Sequence, residues 1–88
     1  MEAFKAYRRK QVAELRPVTK ADIENFKTNH QEIVIASDND QIVTVSISDV
    51  DRQNGSPKIG DMIARNPNNH LDQWLVAEAY FLENFELV

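Results

Sequence analysis

Residues 56–85 read S-P-K-I-G-D-M-I-A-R-N-P-N-N-H-L-D-Q-W-L-V-A-E-A-Y-F-L-E-N-F, and the fold follows from how this stretch divides. Pro57 and the pair Gly60-Asp61 are turn chemistry, so the backbone reverses sharply before Met62, Ile63 and Ala64 extend. Asn66-Pro67-Asn68-Asn69 marks a loop, because proline disfavours helix at the residue before it and Asn tolerates left-handed backbone. Trp74-Leu75-Val76 is a short apolar run suited to a strand. From Ala77 the period changes: Ala77, Phe81 and Phe85 recur every four residues with Leu82 beside them, while Glu78, Glu83 and Glu86 take other faces. The stretch thus predicts a strand, a polar loop over residues 65–73, a second strand and a helix over 77–85 that lays one face on a sheet.

Upstream of it lies the plainest β signal. Residues 32–36 are β-branched and apolar, Ser37-Asp38-Asn39-Asp40 is turn chemistry, and Val43, Val45 and Ile47 alternate with Thr44, Ser46 and Ser48. A hairpin over residues 32–48 with one face on a core is expected. Residues 49–56 read as a polar connection turning at Asn54-Gly55. Thr19 followed by Asp22 is a helix-start pattern, in which the hydroxyl caps the first turn and an acid stands three residues on. It predicts a helix over 20–28 that buries Ile23 and Phe26 and ends at a left-handed Asn29. Residues 1–15 fit a loose helical stripe or a strand equally well. Together these elements predict an α+β fold: a small, mainly antiparallel sheet, one short helix after the N-terminal segment, and a C-terminal amphipathic helix.

At 88 residues the chain is one domain, of a size where burial is only just sufficient. Its 42% hydrophobic and 27% charged content is that of a globular domain rather than a disordered segment. Without cysteine there is no disulfide framework, thiolate nucleophile or Cys-ligated metal. No apolar run approaches the roughly 20 residues of a membrane helix, and no signal-peptide pattern opens the chain, so a soluble cytoplasmic protein is expected. The net charge of −4 is unevenly spread. Residues 1–30 carry seven basic side chains against four acidic ones, and residues 31–88 carry three against ten. Two faces that complement each other on folding explain such asymmetry more simply than a polar molecule with a basic patch does.

Chemistry-bearing motifs are few. Asp49-x-Asp51-x-Gln53 resembles the start of a calcium loop, but its glycine comes one place late and no bidentate Glu follows. His30 and His70 stand forty residues apart; His70 would form an acid–base pair with Asp72 or Asp61 if the fold brought them together. No nucleophile elbow, phosphate loop or dinucleotide fingerprint is present. The expectation is no catalytic residue, no metal site and no cofactor. The basic run Arg8-Arg9-Lys10, flanked by Lys5, Tyr7 and Arg16, is the one nucleic-acid candidate, with phosphate tracking and base stacking as its chemistry.

Tyr7 to Val12 (Y-R-R-K-Q-V), Gly60 to Ile63 (G-D-M-I), Trp74-Leu75-Val76, Tyr80-Phe81 and Asn84-Phe85-Glu86 resemble small accessory proteins encoded by tailed phages and prophages. In those a Y-R-K-K-P-V-like opening leads into a strand, and a P-G-D-W-I-V-like strand precedes a last F-x-x-x-(F/Y)-E helix. The chain departs at Gln11, where that pattern has Pro, and at Met62, where it has an aromatic residue. The resemblance implies a phage origin, an α+β fold and strand character for residues 7–16; it carries over no functional residue.

The functional expectation is therefore a non-enzymatic phage or prophage accessory protein that binds a host or phage protein in the bacterial cytoplasm. Inhibition of a host defence system such as CRISPR is one form such binding would take. The candidate contact residues are Arg65, Asn68, Asn69, His70 and Trp74, since Trp and Arg are enriched at binding hot spots and a long polar loop offers many donors and acceptors. The alternative is a small-ligand or nucleic-acid binding module using the basic N-terminal segment, Arg8, Arg9 and Lys10, together with Arg65. No membrane partner is expected, and self-association into a homo-oligomer stays open.

Overall fold

The computed structural model describes residues 3–7 and 12–87. Among them run five strands and three helices, in the order β1 (Glu14–Pro17), α1 (Lys20–Thr28), β2 (Ile33–Ala36), β3 (Ile42–Val45), α2 (Asp49–Gln53), β4 (Met62–Asn66), β5 (Asn69–Val76) and α3 (Glu78–Asn84). The expected α+β fold is present, with its β structure in two pieces: an antiparallel sheet β1-β4-β5 and a hairpin β2-β3. Ser46, one residue past β3, joins them. Its N–H donates to the Gln73 carbonyl at 3.0 Å and its carbonyl accepts from the Leu75 N–H at 2.8 Å. The strands therefore follow one another as β1-β4-β5-β3-β2, leaving β1 and β2 as the outer members. Both line the same cleft, of about 560 Å³.

Strand periodicity sets the core. Val43, Val45 and Ile47 are buried while Thr44, Ser46 and Ser48 between them are exposed, the alternation expected of a strand with one wet face. Val18, Ile33, Val45, Ile47, Ile63 and Leu75 form the buried cluster, against which Ile23, Phe26 and Ile35 pack. Each aliphatic side chain fully removed from water contributes about 1.5–3 kcal/mol. Helix α1 begins as expected: the Thr19 hydroxyl accepts from the Asp22 N–H, and the Asp22 carboxylate accepts from the Thr19 N–H. Asp22 also takes both ends of the Arg16 guanidinium, at 2.7 and 3.0 Å, which ties the helix to the end of β1.

The junction before β4 is built on Asp61, which is 0% exposed. One carboxylate oxygen accepts from the Ser56 hydroxyl at 2.7 Å and the Lys58 N–H at 3.0 Å. The other accepts from the N–H of Glu78, the first residue of α3, at 3.0 Å. Ala77, at the helix N-cap, has no side chain able to cap, so Asp61 supplies the missing acceptor from across the fold. Gly60 precedes it at φ +106°, and a Cβ there would collide with the Glu78 carboxylate. Turn, strand and helix thus meet at one buried acid.

Four expectations are corrected. Asn29 ends α1 at φ −115°, not left-handed. Its N–H and its side-chain amide both donate to the Asn25 carbonyl, which ties it to the last turn of the helix, and the left-handed turn falls on His30 and Gln31. Residues 49–53 form α2 rather than a plain connection, because the Ser48 hydroxyl caps the Asp51 N–H and two acids sit in the first turn. Residues 65–73 are not a nine-residue loop: β4 and β5 pair from Met62↔Val76 down to Asn66↔Asn69, with an irregularity after Arg65, leaving Pro67-Asn68 as the tip. Finally, α3 buries no residue. Phe81 is only half-buried and stacks on Phe85 at 6.0 Å, so the last helix packs its aromatics on one another rather than laying a face on the sheet.

Candidate functional site

Two hairpins carry their turns to the same end of the molecule. The β2–β3 turn holds Ser37, Asp38 and Asn39, with Asp40 in left-handed backbone at φ +61°. Ser37 bonds across it: its N–H donates to the Gln41 carbonyl at 2.8 Å and its hydroxyl to the Asn39 side chain at 2.8 Å. The β4–β5 tip is fixed by two Asn side chains, as Asn66 accepts from the Asn68 N–H and Asn69 from the Leu71 N–H. Such Asn-to-backbone bonds hold a turn from within.

Between the two tips runs a network of four side chains. The Arg65 Nε donates to Glu14 at 2.8 Å, and its Nη1 reaches both Asp38 oxygens at 3.2 and 3.3 Å. The His70 Nδ1 stands 2.6 Å from Asp38, and its Nε2 lies 3.5 Å from Glu14. An ionised carboxylate can only accept, so His70 carries its proton on Nδ1. The hydrogen bond from His70, with the Arg65 charge, holds the Asp38 carboxyl below its ordinary value. Glu14, with Asp38, raises the already high Arg65 value. β1, the β2–β3 turn, β4 and β5 are thereby tied at one point. An open depression of about 470 Å³ lies between the tips, with Asn39, Gln41, Asn68, Asn69 and Leu71 on its walls.

The structure thus brings Arg65, Asn68, Asn69 and His70 together. It separates Trp74 from them: that residue is half-buried inside β5, opposite Ala64, and not at the edge of a loop. Arg8, Arg9 and Lys10 lie outside the described residues. The pairing of His70 with Asp72 or Asp61 does not form; Asp61 is buried at the α3 junction, and His70 turns to Asp38 and Glu14 instead. His30 is exposed in the α1–β2 connection. Sequence reasoning missed Glu14, Asp38, Asn39 and Gln41 as members of the site. Glu14 is 51 residues from Arg65 and Asp38 is 32 from His70, and no local pattern links positions so far apart. Among the described residues no group of His, Asp and Glu is arranged to hold a metal ion, and no helix is long and apolar enough to cross a membrane. Compared with known proteins, the chain matches no family model, no curated protein and no solved structure.

Proposed function

We propose that the chain is a non-enzymatic binding protein whose partner is another protein, and that the two clamped hairpin tips are its contact surface. The observation that carries this reading is the Arg65–Glu14–Asp38–His70 network. Ion pairs this exposed contribute little to stability, because water screens them and two long side chains must be held in one geometry. What the network does supply is position: it fixes two turns from different sheets into one surface before any partner arrives, which lowers the ordering cost of binding. The surface mixes amides (Asn39, Gln41, Asn68, Asn69) with exposed Leu71 and Pro67 beside them, a composition suited to a polar rim around an apolar contact.

The likeness of the two chain ends to phage accessory proteins supports a host or phage protein as the partner, met in the bacterial cytoplasm, with blockade of a defence system such as CRISPR as one outcome. Nucleic acid is disfavoured by the net charge of −4 and by the state of Arg65, the arginine between the tips, which is already paired with Glu14 and Asp38. Catalysis is disfavoured because His70 is engaged by two acids with no nucleophile in the cluster.

The test is capture by tagged protein from bacterial lysate, with and without nuclease, beside retention on heparin over a salt gradient. The reading expects one protein retained in stoichiometric amount after nuclease treatment, and no retention on heparin at moderate salt. Retention that nuclease abolishes, with affinity falling steeply with salt, would replace the protein partner with nucleic acid.

A further inference from the structure

The cleft between the outer strands has a second property, which follows from register. Val18, directly opposite Asp61, donates its N–H to the Asp61 carbonyl. With β1 and β4 paired as Arg16↔Ile63 and Leu15↔Ala64, the residues of β1 that bond β4 are therefore the even ones. Leu15 points its N–H and carbonyl outward. On β2 the Ser37 N–H bonds Gln41, so with Ile35↔Val43 and Ala36↔Ile42 paired, Ala36 likewise turns both backbone groups outward.

The neighbouring outward groups are accounted for. Val34 donates to and accepts from the Asn25 side chain, at 3.1 and 2.7 Å. Pro17 has no N–H, and its carbonyl accepts from Arg16. Leu15 and Ala36 have no hydrogen-bond partner among the described residues, and both line the 560 Å³ cleft, with Ile35 and Ile63 beside them. Fixed strand edges this exposed are templates for a further strand.

We propose that this cleft binds a short extended segment of the partner polypeptide, which enters between β1 and β2 and hydrogen-bonds to Leu15 on one side and Ala36 on the other. The proposal rests on the protein-binding reading above and names the part of the partner involved. Charge selects the segment. The charged side chains on the walls are already matched, Arg16 with Asp22 and Arg65 with Glu14 and Asp38. An anion would have to break these pairs, whereas an uncharged backbone with an aliphatic side chain on Ile35 and Ile63 leaves them whole. Asn25 closes the β2 edge at Val34 and Pro17 limits the β1 edge. The site therefore reads only about three or four residues, main chain giving affinity and one inward side chain giving selectivity.

The probe is the neutral peptide acetyl-Thr-Val-Thr-Val-Thr-amide, added to the full chain carrying nitrogen-15 and followed by amide NMR and hydrogen exchange. Expected are shifts centred on Leu15 and Ala36, exchange of those two amides slowed at least tenfold at saturation, and at least tenfold weaker binding when the central Thr is N-methylated. Ala36→Pro removes the outward N–H without removing an interstrand bond and is expected to abolish binding; Leu15→Pro does the same from β1 should the first variant not fold. Three results overturn the proposal: shifts confined to the hairpin tips, equal binding of the N-methylated peptide, or sedimentation showing that a second copy of the chain fills the cleft and excludes the peptide. A captured partner that binds Ala36→Pro as tightly as the parent also removes the cleft while leaving the protein-binding reading intact. Failure to capture any protein, with the peptide still bound at Leu15 and Ala36, does the reverse.

Discussion

Replacing Asp61 with Ala is the most severe single change the fold predicts at a polar position. The substitution removes the acceptor of three hydrogen bonds at once: from the Ser56 hydroxyl, the Lys58 N–H and the Glu78 N–H. Ser56 is itself buried, so its hydroxyl loses its partner with no water to replace it. The two backbone groups are partly buried and recover some solvation. Orphaned donors cost about 1–3 kcal/mol each. With the hydroxyl near the upper end, the amides near the lower, and some desolvation of the carboxylate returned, the expected loss is about 3–5 kcal/mol. For a domain of this size that lowers the melting temperature by on the order of 15–30 °C. Thermal unfolding by circular dichroism reads the total, and hydrogen exchange locates it, since the amides of α3 should lose protection first. Asp72→Ala, an exposed carboxylate on the same hairpin, is the control and should stay within about 0.5 kcal/mol. If Asp61→Ala melts within a few degrees of the parent, the buried acid is not what joins β4 to α3 and the reasoning fails.

Three further outcomes are expected. Burial alone would raise the Asp22 value, but the hydrogen bonds from Arg16 and Thr19 and the Arg16 charge together outweigh it, so its folded value lies below the unfolded one. Its contribution is therefore complete above about pH 4 and lost as pH falls through the lower folded value; acid titration of the melting temperature should flatten in Asp22→Asn. Asn25→Ala should cost about 1–2 kcal/mol by leaving both backbone groups of Val34 unpaired, with faster exchange at Val34 as the local sign. Gly60→Ala should cost about 1–3 kcal/mol, because φ +106° is strained for any side chain. Most of that cost should persist in a Glu78→Ala background, where the steric collision is gone.

Local patterns carried much of the fold. Val43, Val45 and Ile47 announced the hairpin because a buried face repeats every second residue, and Thr19 with Asp22 announced α1 because a capping box is complete within four positions. Patterns failed where local chemistry was ambiguous. Asn69 to Gln73 read as loop because a strand near a hairpin tip has water on most sides and needs no alternation; the structure exposes Asn69, Leu71 and Asp72 there. Helix α2 lacks an apolar stripe, and only Ser48 before two early acids signalled it. The tip cluster was half legible: Arg65, Asn68, Asn69 and His70 stand close in sequence, whereas Glu14 and Asp38 reach them only through strand pairing. That difference changes how the site must be probed. Arg65 and His70 belong to the clamp, so removing them alters the position of both tips as well as any contact they make.

The most direct measurement is therefore the affinity of the captured partner for a variant that keeps the clamp and the bonds within each turn but strips the walls between the tips, Gln41→Ala with Asn68→Ala and Leu71→Ala. Titration calorimetry should show binding weakened more than tenfold, about 1.4 kcal/mol, while the melting temperature stays within a few degrees of the parent and the Arg65–Asp38–His70 contacts persist. Affinity equal to the parent's, in a variant that folds normally, would contradict the claim that the clamped tips are the surface this protein uses.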